Sequence, residues 1–289
     1  MSDNHASSSI LGLTRNWAFL PSPVAFSQRR QFIEIFARYA ERKPRWHSVK
    51  PLKPRGKWAV YFVFSPDGLL SSAHEFTLSR LRDLGMPLLV VCASRAPDKL
   101  PATLAGYCDA LFWKDLPGYD FSAYSLALHQ IARLSPGADV LVMNDSVFGP
   151  FSDLREILAG ARWDLTGFTA SSHVTNHIQS YAFLLKAVSR MRMAKLATVF
   201  FPFVALSKND AVIPLQETRL ARVAARSMDV GAFWFGDANE VIDPSLVRPI
   251  ELLNAGFPFL KRSLVGKHAS FIDRGLVLQE LERLGHPLV

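Results

Sequence analysis

The chain reads as a doubly wound α/β protein, with a mostly parallel central sheet flanked by helices. Three observations predict this. Continuous apolar runs of strand length recur along the sequence. Helical stretches alternate with them in units of about 30 residues, the length of a right-handed parallel crossover. Each run then stops at a polar turn, as strands of an open sheet do at the carboxyl edge where such folds bind ligands.

Residues 1–25 are Ser-rich at the start and punctuated by Pro, and read as a loose leader. From Ser27, SQRRQFIEIFARYAERKPRW sets Phe32, Ile35, Phe36 and Tyr39 at helical spacing. Arg29, Arg30, Arg38, Arg42 and Lys43 lie largely off that stripe, so a basic amphipathic helix ending before Pro44 is expected. Such a helix either docks on its own domain or lies on an anionic membrane, which makes residues 27–46 a candidate for peripheral membrane contact. VKPLKPRGK (49–57) is basic and Pro-rich and reads as a linker. The expected division is therefore leader and basic helix over 1–56, the main domain over 57–265, and a C-terminal helix over 266–289 packed on it.

WAVYFVF (58–64) is the first strand, and it ends at SPDG. Ala73–Leu84 carries Leu78, Leu81 and Leu84 at helical spacing and stops at Gly85, a typical residue after a helix C-terminus. PLLVVCAS (87–94) is the second strand, DALFW (109–113) the third and DVLVMND (139–145) the fourth, with a helix over Tyr124–Leu134. Beyond Gly149-Pro150, SDLREILAG is a short helix with Ser152 as N-cap. DLTGFTA (164–170) and Ser180–Leu185 follow, the latter as another strand, and the next segment is basic and helical. IPLQETRLARVAARS (213–227) is a helix whose first turn carries Glu217, where the macrodipole favours an ionised carboxylate. LVLQELERL (276–284) is the last amphipathic helix.

A 49% apolar share that includes 21 Phe supports a sizeable core. The net charge of +8 and pI near 9.7 favour anionic partners. No reader module for nucleic acid is recognisable and the basic residues concentrate in the leader and the third quarter, so no nucleic-acid partner is expected. The two cysteines, Cys92 and Cys108, sit beside apolar segments and read as buried thiols of a reducing compartment. The first residues lack the order of a secretory signal. The longest apolar run, Leu196–Leu206, contains Pro202 and falls short of the roughly 18 residues of a spanning helix. A cytoplasmic protein is expected, soluble or peripheral on the inner face of the cytoplasmic membrane.

GxSxG, HExxH, Walker and GxGxxG signatures are absent. What recurs is polar chemistry at strand ends: Ser65 and Asp67, Ser94 and Arg95, Lys114 and Asp115, then Asn144, Asp145 and Ser146. The last three read either as turn and cap residues or as a ligand edge, where Asp145 could hold a divalent ion bridging two phosphates. Lys261 and Arg262 read either as a solvated pair or as diphosphate ligands.

GYDFSAY (118–124), VLVMNDSVFGPF (140–151), DLTGFTASSHVTNHIQSY (164–181), the Glu217 helix and PFLKRSLV (258–265) follow one another as in the rhamnan synthesis protein F family. These are bacterial glycosyltransferases of surface polysaccharide assembly, and the chain resembles them over roughly Trp58–Val265. The resemblance implies a Rossmann-like GT-A fold, a nucleotide-diphosphate sugar donor such as nucleotide-diphosphate rhamnose, and a polysaccharide or lipid-linked glycan acceptor. It implies inversion, with Glu217 as the base that takes the acceptor hydroxyl proton. Together with the strand ends, it places the donor at Ser65, Asp67, Ser94, Gly118, Tyr119, Asp120, Asn144, Asp145, Ser146 and Lys261. The sugar and acceptor fall at Gly167, His177, Gln179 and Ser180, and Mg or Mn at Asp145. His177 and Gln179 equally read as a pair satisfying buried backbone groups. One carboxylate stands in the Asn-Asp-Ser turn where a full Asp-x-Asp has two. The alternative is a non-catalytic glycan-binding or scaffold subunit of the same pathway.

Overall fold

The computed structural model describes residues 12–22, 26–237 and 243–287, so the polar start of the chain lies outside the described residues. The elements begin with β1 (Leu13–Ala18), α1 (Phe26–Tyr39), β2 (Ala40–Arg42), β3 (Trp46–Lys50), β4 (Lys57–Phe64) and α2 (Ser72–Asp83). Then come β5 (Leu88–Ala93), α3 (Leu104–Tyr107), β6 (Ala110–Lys114), α4 (Tyr119–Leu134), β7 (Ala138–Asn144) and β8 (Val147–Phe148). They are followed by α5 (Leu154–Ala159), β9 (Leu165–Ser171), β10 (His177–Ile178), β11 (Ala182–Val188), α6 (Arg190–Lys195) and β12 (Val204–Leu206). One continuous helical run joins α7 (Asn209–Val212), a π-helical turn (Ile213–Glu217) and α8 (Thr218–Ala224). The chain ends with β13 (Val230–Gly236), α9 (Pro244–Val247), α10 (Pro249–Asn254), β14 (Leu260–Lys261), a 3₁₀ turn (Arg262–Val265) and α11 (Arg274–Arg283).

The main sheet runs β1-β13-β9-β11-β7-β4-β5-β6-β3, with β10 added against β9. β4 pairs in parallel with both β5 and β7, and β5 with β6. The chain therefore winds outward from β4 through β5 to β6, then returns to lay β7 on the other side of β4. That reversal is a topological switch point, and the carboxyl ends of β4 and β7 flank the crevice it opens.

The first strand shows why the apolar runs are unbroken. In β4, Trp58, Val60 and Phe62 enter one core and Ala59, Tyr61 and Val63 the other, so both faces of the strand are buried. Val60, Phe62 and Val63 each contribute about 1.5–3 kcal/mol when fully buried. On one face Phe121, Tyr124, Leu128 and Ile131 of α4 pack with residues of α6, α7 and α8. On the other lie Leu78 and Leu81 of α2, Leu104 of α3 and Leu154 of α5. Val277 and Leu281 of α11 join Ala73, Phe148 and Leu264 in a third, smaller cluster. Cys92 and Cys108 are free and buried, and burial pushes their thiols up to about 12 and about 11.

Several expectations are corrected. The leader is not wholly loose, because β1 pairs antiparallel with β13 at one edge of the sheet. Part of the expected linker is likewise β3, which pairs with β6 at the other edge and sets Trp46 against Phe112. Both strands face solvent along one side, which hides them from an apolar-run reading. The basic helix ends at Tyr39, and the next three residues form β2, paired with β12. Its stripe of Phe32, Ile35, Phe36 and Tyr39 packs on the core. β11 runs antiparallel between β7 and β9, since ten residues separate it from β9 and a parallel return needs a dozen or more. The helix cap at α5 is Asp153, whose carboxylate accepts from Arg155 N–H, one residue past the expected Ser152. Among the described residues, no helix is long and apolar enough to cross a membrane.

Candidate functional site

A cavity of about 920 Å³ opens over the switch point. Its floor is built on the turn that follows β7. Asn144 donates through Nδ2 to Asp120 Oδ2 at 2.7 Å, while its Oδ1 accepts from Ser146 N–H at 3.0 Å and Ser146 Oγ at 2.6 Å. One amide thus ties the start of α4 to the strand-end turn and leaves none of its own polar atoms unmatched.

Asp120 stands in the first turn of α4, behind Gly118 and Tyr119. Gly118 has φ +92°, and a Cβ there would meet Ser122 and Ala205 at 2.6–2.8 Å, so the turn admits only glycine. Its N–H donates to Ser207 Oγ, which donates to Glu41 Oε2. Tyr119 follows at φ +45° and lines the cavity. Burial, and then the nearby Glu217, push the Asp120 carboxyl up to about 6 against the opposing Asn144 hydrogen bond. Burial also brings the neighbouring Lys114 ammonium down to about 7, although Asp115 and Asp120 favour its charged form. Lys114 Nζ donates to the Pro117 carbonyl at 2.9 Å.

Glu217 also lines the cavity, and its Oε1 accepts from Ser180 N–H at 3.3 Å. It does not occupy a first helical turn. The helical run starts at Asn209, and Glu217 stands where the π-helical turn passes into α8, so no open N-terminus supports its charge. The extra residue of a π turn swings this side chain toward the cavity, a use such turns often have.

Asp145 braces the switch point itself. Its Oδ2 accepts from Phe64 N–H at the end of β4, at 2.8 Å, and lies 3.1 Å from His74 Nε2. His74 closes a capping box on α2 in which its Nδ1 accepts from Ser71 N–H, so Nε2 is the nitrogen left to donate to Asp145. Arg262 Nη1 donates to the Asp145 carbonyl at 3.1 Å. The Phe64 and His74 contacts both fall on one Asp145 oxygen, Oδ2. Among the described residues no three His, Cys, Asp or Glu gather to hold a metal.

The opposite wall is basic. β14 pairs with β8, which follows the Asn-Asp-Ser turn, and this brings Lys261, Arg262, Lys267 and His268 to the cavity. Lys261 Nζ donates to Asp243 Oδ2 at 2.9 Å and stands over the Tyr181 ring. Burial alone would raise the Asp243 carboxyl, but Lys261 and hydrogen bonds from Ser245 and Gln179 hold it below its ordinary value. Desolvation, then Lys267 and Lys261, lower the His268 imidazolium's pKa.

Of the residues expected at the site, Gly118, Tyr119, Asp120, Asn144, Asp145, Ser146, Ser180, Glu217 and Lys261 line this one cavity. Six do not. Ser65 Oγ donates to the Leu69 carbonyl, Ser94 Oγ bridges Trp113 and the Ala96 carbonyl, and exposed Asp67 pairs with Arg95 at 3.3 Å. Gly167 gives Ile178 room, since a Cβ would stand 2.8 Å from it. His177 Nδ1 lies 2.8 Å from the Thr175 carbonyl, and Gln179 links Thr169 to Asp243 in the buried layer beneath Lys261. Glu41, Ser207, Asn209, Lys267 and His268 join the lining without having been expected. Glu41 and Ser207 arrive through the small β2–β12 sheet, which no periodicity announces, whereas Lys267 and His268 carried a signal in the basic stretch after PFLKRSLV.

A family model described as rhamnan synthesis protein F matches residues 88–283, more than half of the chain. No curated protein matches. Among solved structures, the inositol-1-phosphate CTP transferase from T. maritima is similar at 10% identity and TM-score 0.41, covering 70% of this chain and 96% of that one. A putative nucleotide-diphospho-sugar transferase from Desulfovibrio desulfuricans G20 is similar at 12% identity and TM-score 0.41, covering 79% and 96%. The 4-diphosphocytidyl-2C-methyl-D-erythritolsynthase from Anaerococcus prevotii DSM 20548 is similar at 12% identity and TM-score 0.40, covering 70% and 97%.

Proposed function

The chain belongs to the rhamnan synthesis protein F family, and from that premise we propose that it is a transferase using a nucleotide-diphosphate sugar. It moves a deoxyhexose, rhamnose, to a polysaccharide or lipid-linked glycan acceptor. The observation that carries the reading is the cavity at the switch point, acidic on the Asp120–Glu217 side and basic on the Lys261–Arg262 side. A transferase of this kind needs both: a base for the acceptor hydroxyl, and cations for the diphosphate that leaves.

In this reading Glu217 takes the proton of the acceptor hydroxyl. The acceptor oxygen forms its bond to the anomeric carbon as the bond from that carbon to the diphosphate oxygen breaks, and the nucleoside diphosphate departs from the opposite face. The configuration inverts, and the electron pair of the broken bond leaves with the phosphate. Asp120 sits beside Glu217 and is held by Asn144, which suits a hydrogen-bond acceptor for the donor. Peripheral contact with an anionic membrane through residues 27–46 rests on charge, since Arg38 and Arg42 are exposed while the apolar stripe of α1 is used inside the molecule.

The test offers purified protein nucleotide-diphosphate rhamnose and a glycan acceptor, and measures release of nucleoside diphosphate. Donor-dependent release that needs the acceptor, with an inverted linkage by NMR, is the expected result. Glycan binding by calorimetry without any release would instead make the chain a binding or scaffold subunit.

A further inference from the structure

We propose that the diphosphate of the donor is held by Lys261, Arg262 and Lys267 directly, and that donor binding needs no divalent cation. The inference rests on the transferase reading and concerns how its site handles charge.

The oxygen atoms that an ion would use are already engaged. Hard cations such as Mg and Mn take several oxygen ligands from carboxylates, carbonyls and water. Here Asp145 Oδ2 serves Phe64 N–H and His74, the Asp145 carbonyl serves Arg262, Asn144 Oδ1 serves Ser146 twice, and Asp120 Oδ2 serves Asn144. An ion that took these engaged oxygens would displace the donors that now hold the turn in place. A guanidinium also stands at the place where a bound cation would be repelled.

The cations are in the opposite state. Arg262 donates to a carbonyl and stacks over the Phe148 ring, and among the described residues it has no carboxylate partner. Lys267 is exposed and has no ion pair among the described residues. Lys261 is aimed from below by Asp243, itself locked by Gln179 and Ser245. Arg262 and Lys261 are already oriented, and with Lys267 they line one cavity from one short segment, so an anion seat there needs only Lys267 to be ordered. His268 stands beside them on the same segment, and its pKa is lowered first by desolvation and then by Lys267 and Lys261.

The experiment titrates uridine and thymidine diphosphates into the full chain by calorimetry, first in EDTA and then in Mn²⁺. Binding in EDTA, changed by less than about threefold on adding Mn²⁺, is expected, because the ion contributes no ligand bond. Lys267→Gln in EDTA should weaken binding by about tenfold, the worth of one charge-assisted contact. Arg262→Lys should weaken it as well, since the fork is lost while the charge stays. Lys267 is exposed, so its variant folds even if a change at Arg262 disturbs the turn. Affinity that rises more than about tenfold with Mn²⁺ overturns the inference and leaves the transferase reading standing. Unchanged binding by Lys267→Gln removes that residue from the seat and overturns the three-cation assignment. Absence of nucleoside diphosphate binding in both buffers overturns this inference and the transferase reading together.

Discussion

The two walls of the cavity carry opposite charges and are built in opposite ways. On the acidic side every group is braced: Asp120 by Asn144, Glu217 by the Ser180 amide, Asp145 by Phe64 and His74. On the basic side Lys261, among the described residues, alone is braced by a carboxylate, while Arg262 and Lys267 keep donors for something else. A wall whose charges are held and partly neutralised can keep a proton acceptor in one geometry. A wall on which Arg262 and Lys267 have no carboxylate partner among the described residues is ready to receive an anion. The difference predicts that changes on the acidic side alter turnover or stability, and changes on the basic side alter donor affinity.

The largest expected effect is at Glu217. Glu217→Gln keeps an oxygen for the Ser180 amide and removes the base, so kcat should fall by about 10²–10⁴ with little change in donor KM. Steady-state kinetics with the wild-type acceptor checks this. If kcat stays within a few-fold of wild type, Glu217 is not the base and the division between the walls loses its catalytic half.

That division was only partly legible in the sequence. β4, β5, β6 and β7 were readable because both their faces are buried, so apolar residues run without a break. β1 and β3 escaped because each shows one side to solvent at an edge. The site followed the same rule. Asn144–Ser146 and Gly118–Asp120 end or begin elements that announce themselves, whereas Glu41 is delivered by a three-residue strand with no pattern to detect. Ser65 and Ser94 were placed in the site by position alone. A strand end supplies polar groups for its own turn as readily as for a ligand, and hydrogen-bond geometry is needed to separate the two uses.

Asp145 tests the comparison through stability. Asp145→Ala leaves Phe64 N–H and His74 Nε2 without their acceptor at the switch point, and should cost about 1–3 kcal/mol. Lys267→Gln, exposed on the other wall, should stay within about 0.5 kcal/mol of wild type. Urea denaturation of both variants decides it. Equal midpoints would mean that the Asp145 brace is not a structural one.

The smallest effect is a pH dependence, and it follows from the raised carboxyl of Asp120. A carboxyl whose folded pKa lies near 6, above its unfolded value of about 3.8, binds its proton more tightly when folded. Its contribution to stability is complete below about 3.8 and is lost as the pH rises through about 6. Asp120→Asn cannot lose it, and still offers Asn144 an amide oxygen. The variant's stability relative to wild type should therefore improve by about 1 kcal/mol between pH 5 and pH 7.5, read as a shift in urea midpoint. Part of the raised value comes from Glu217, so in the Glu217→Gln background the same window should move to lower pH and the gain between those two pH values should shrink. An unchanged window in that background would mean that the two carboxylates do not sense each other. The acidic wall would then be two separate residues, with the Asp120 carboxyl raised by burial alone.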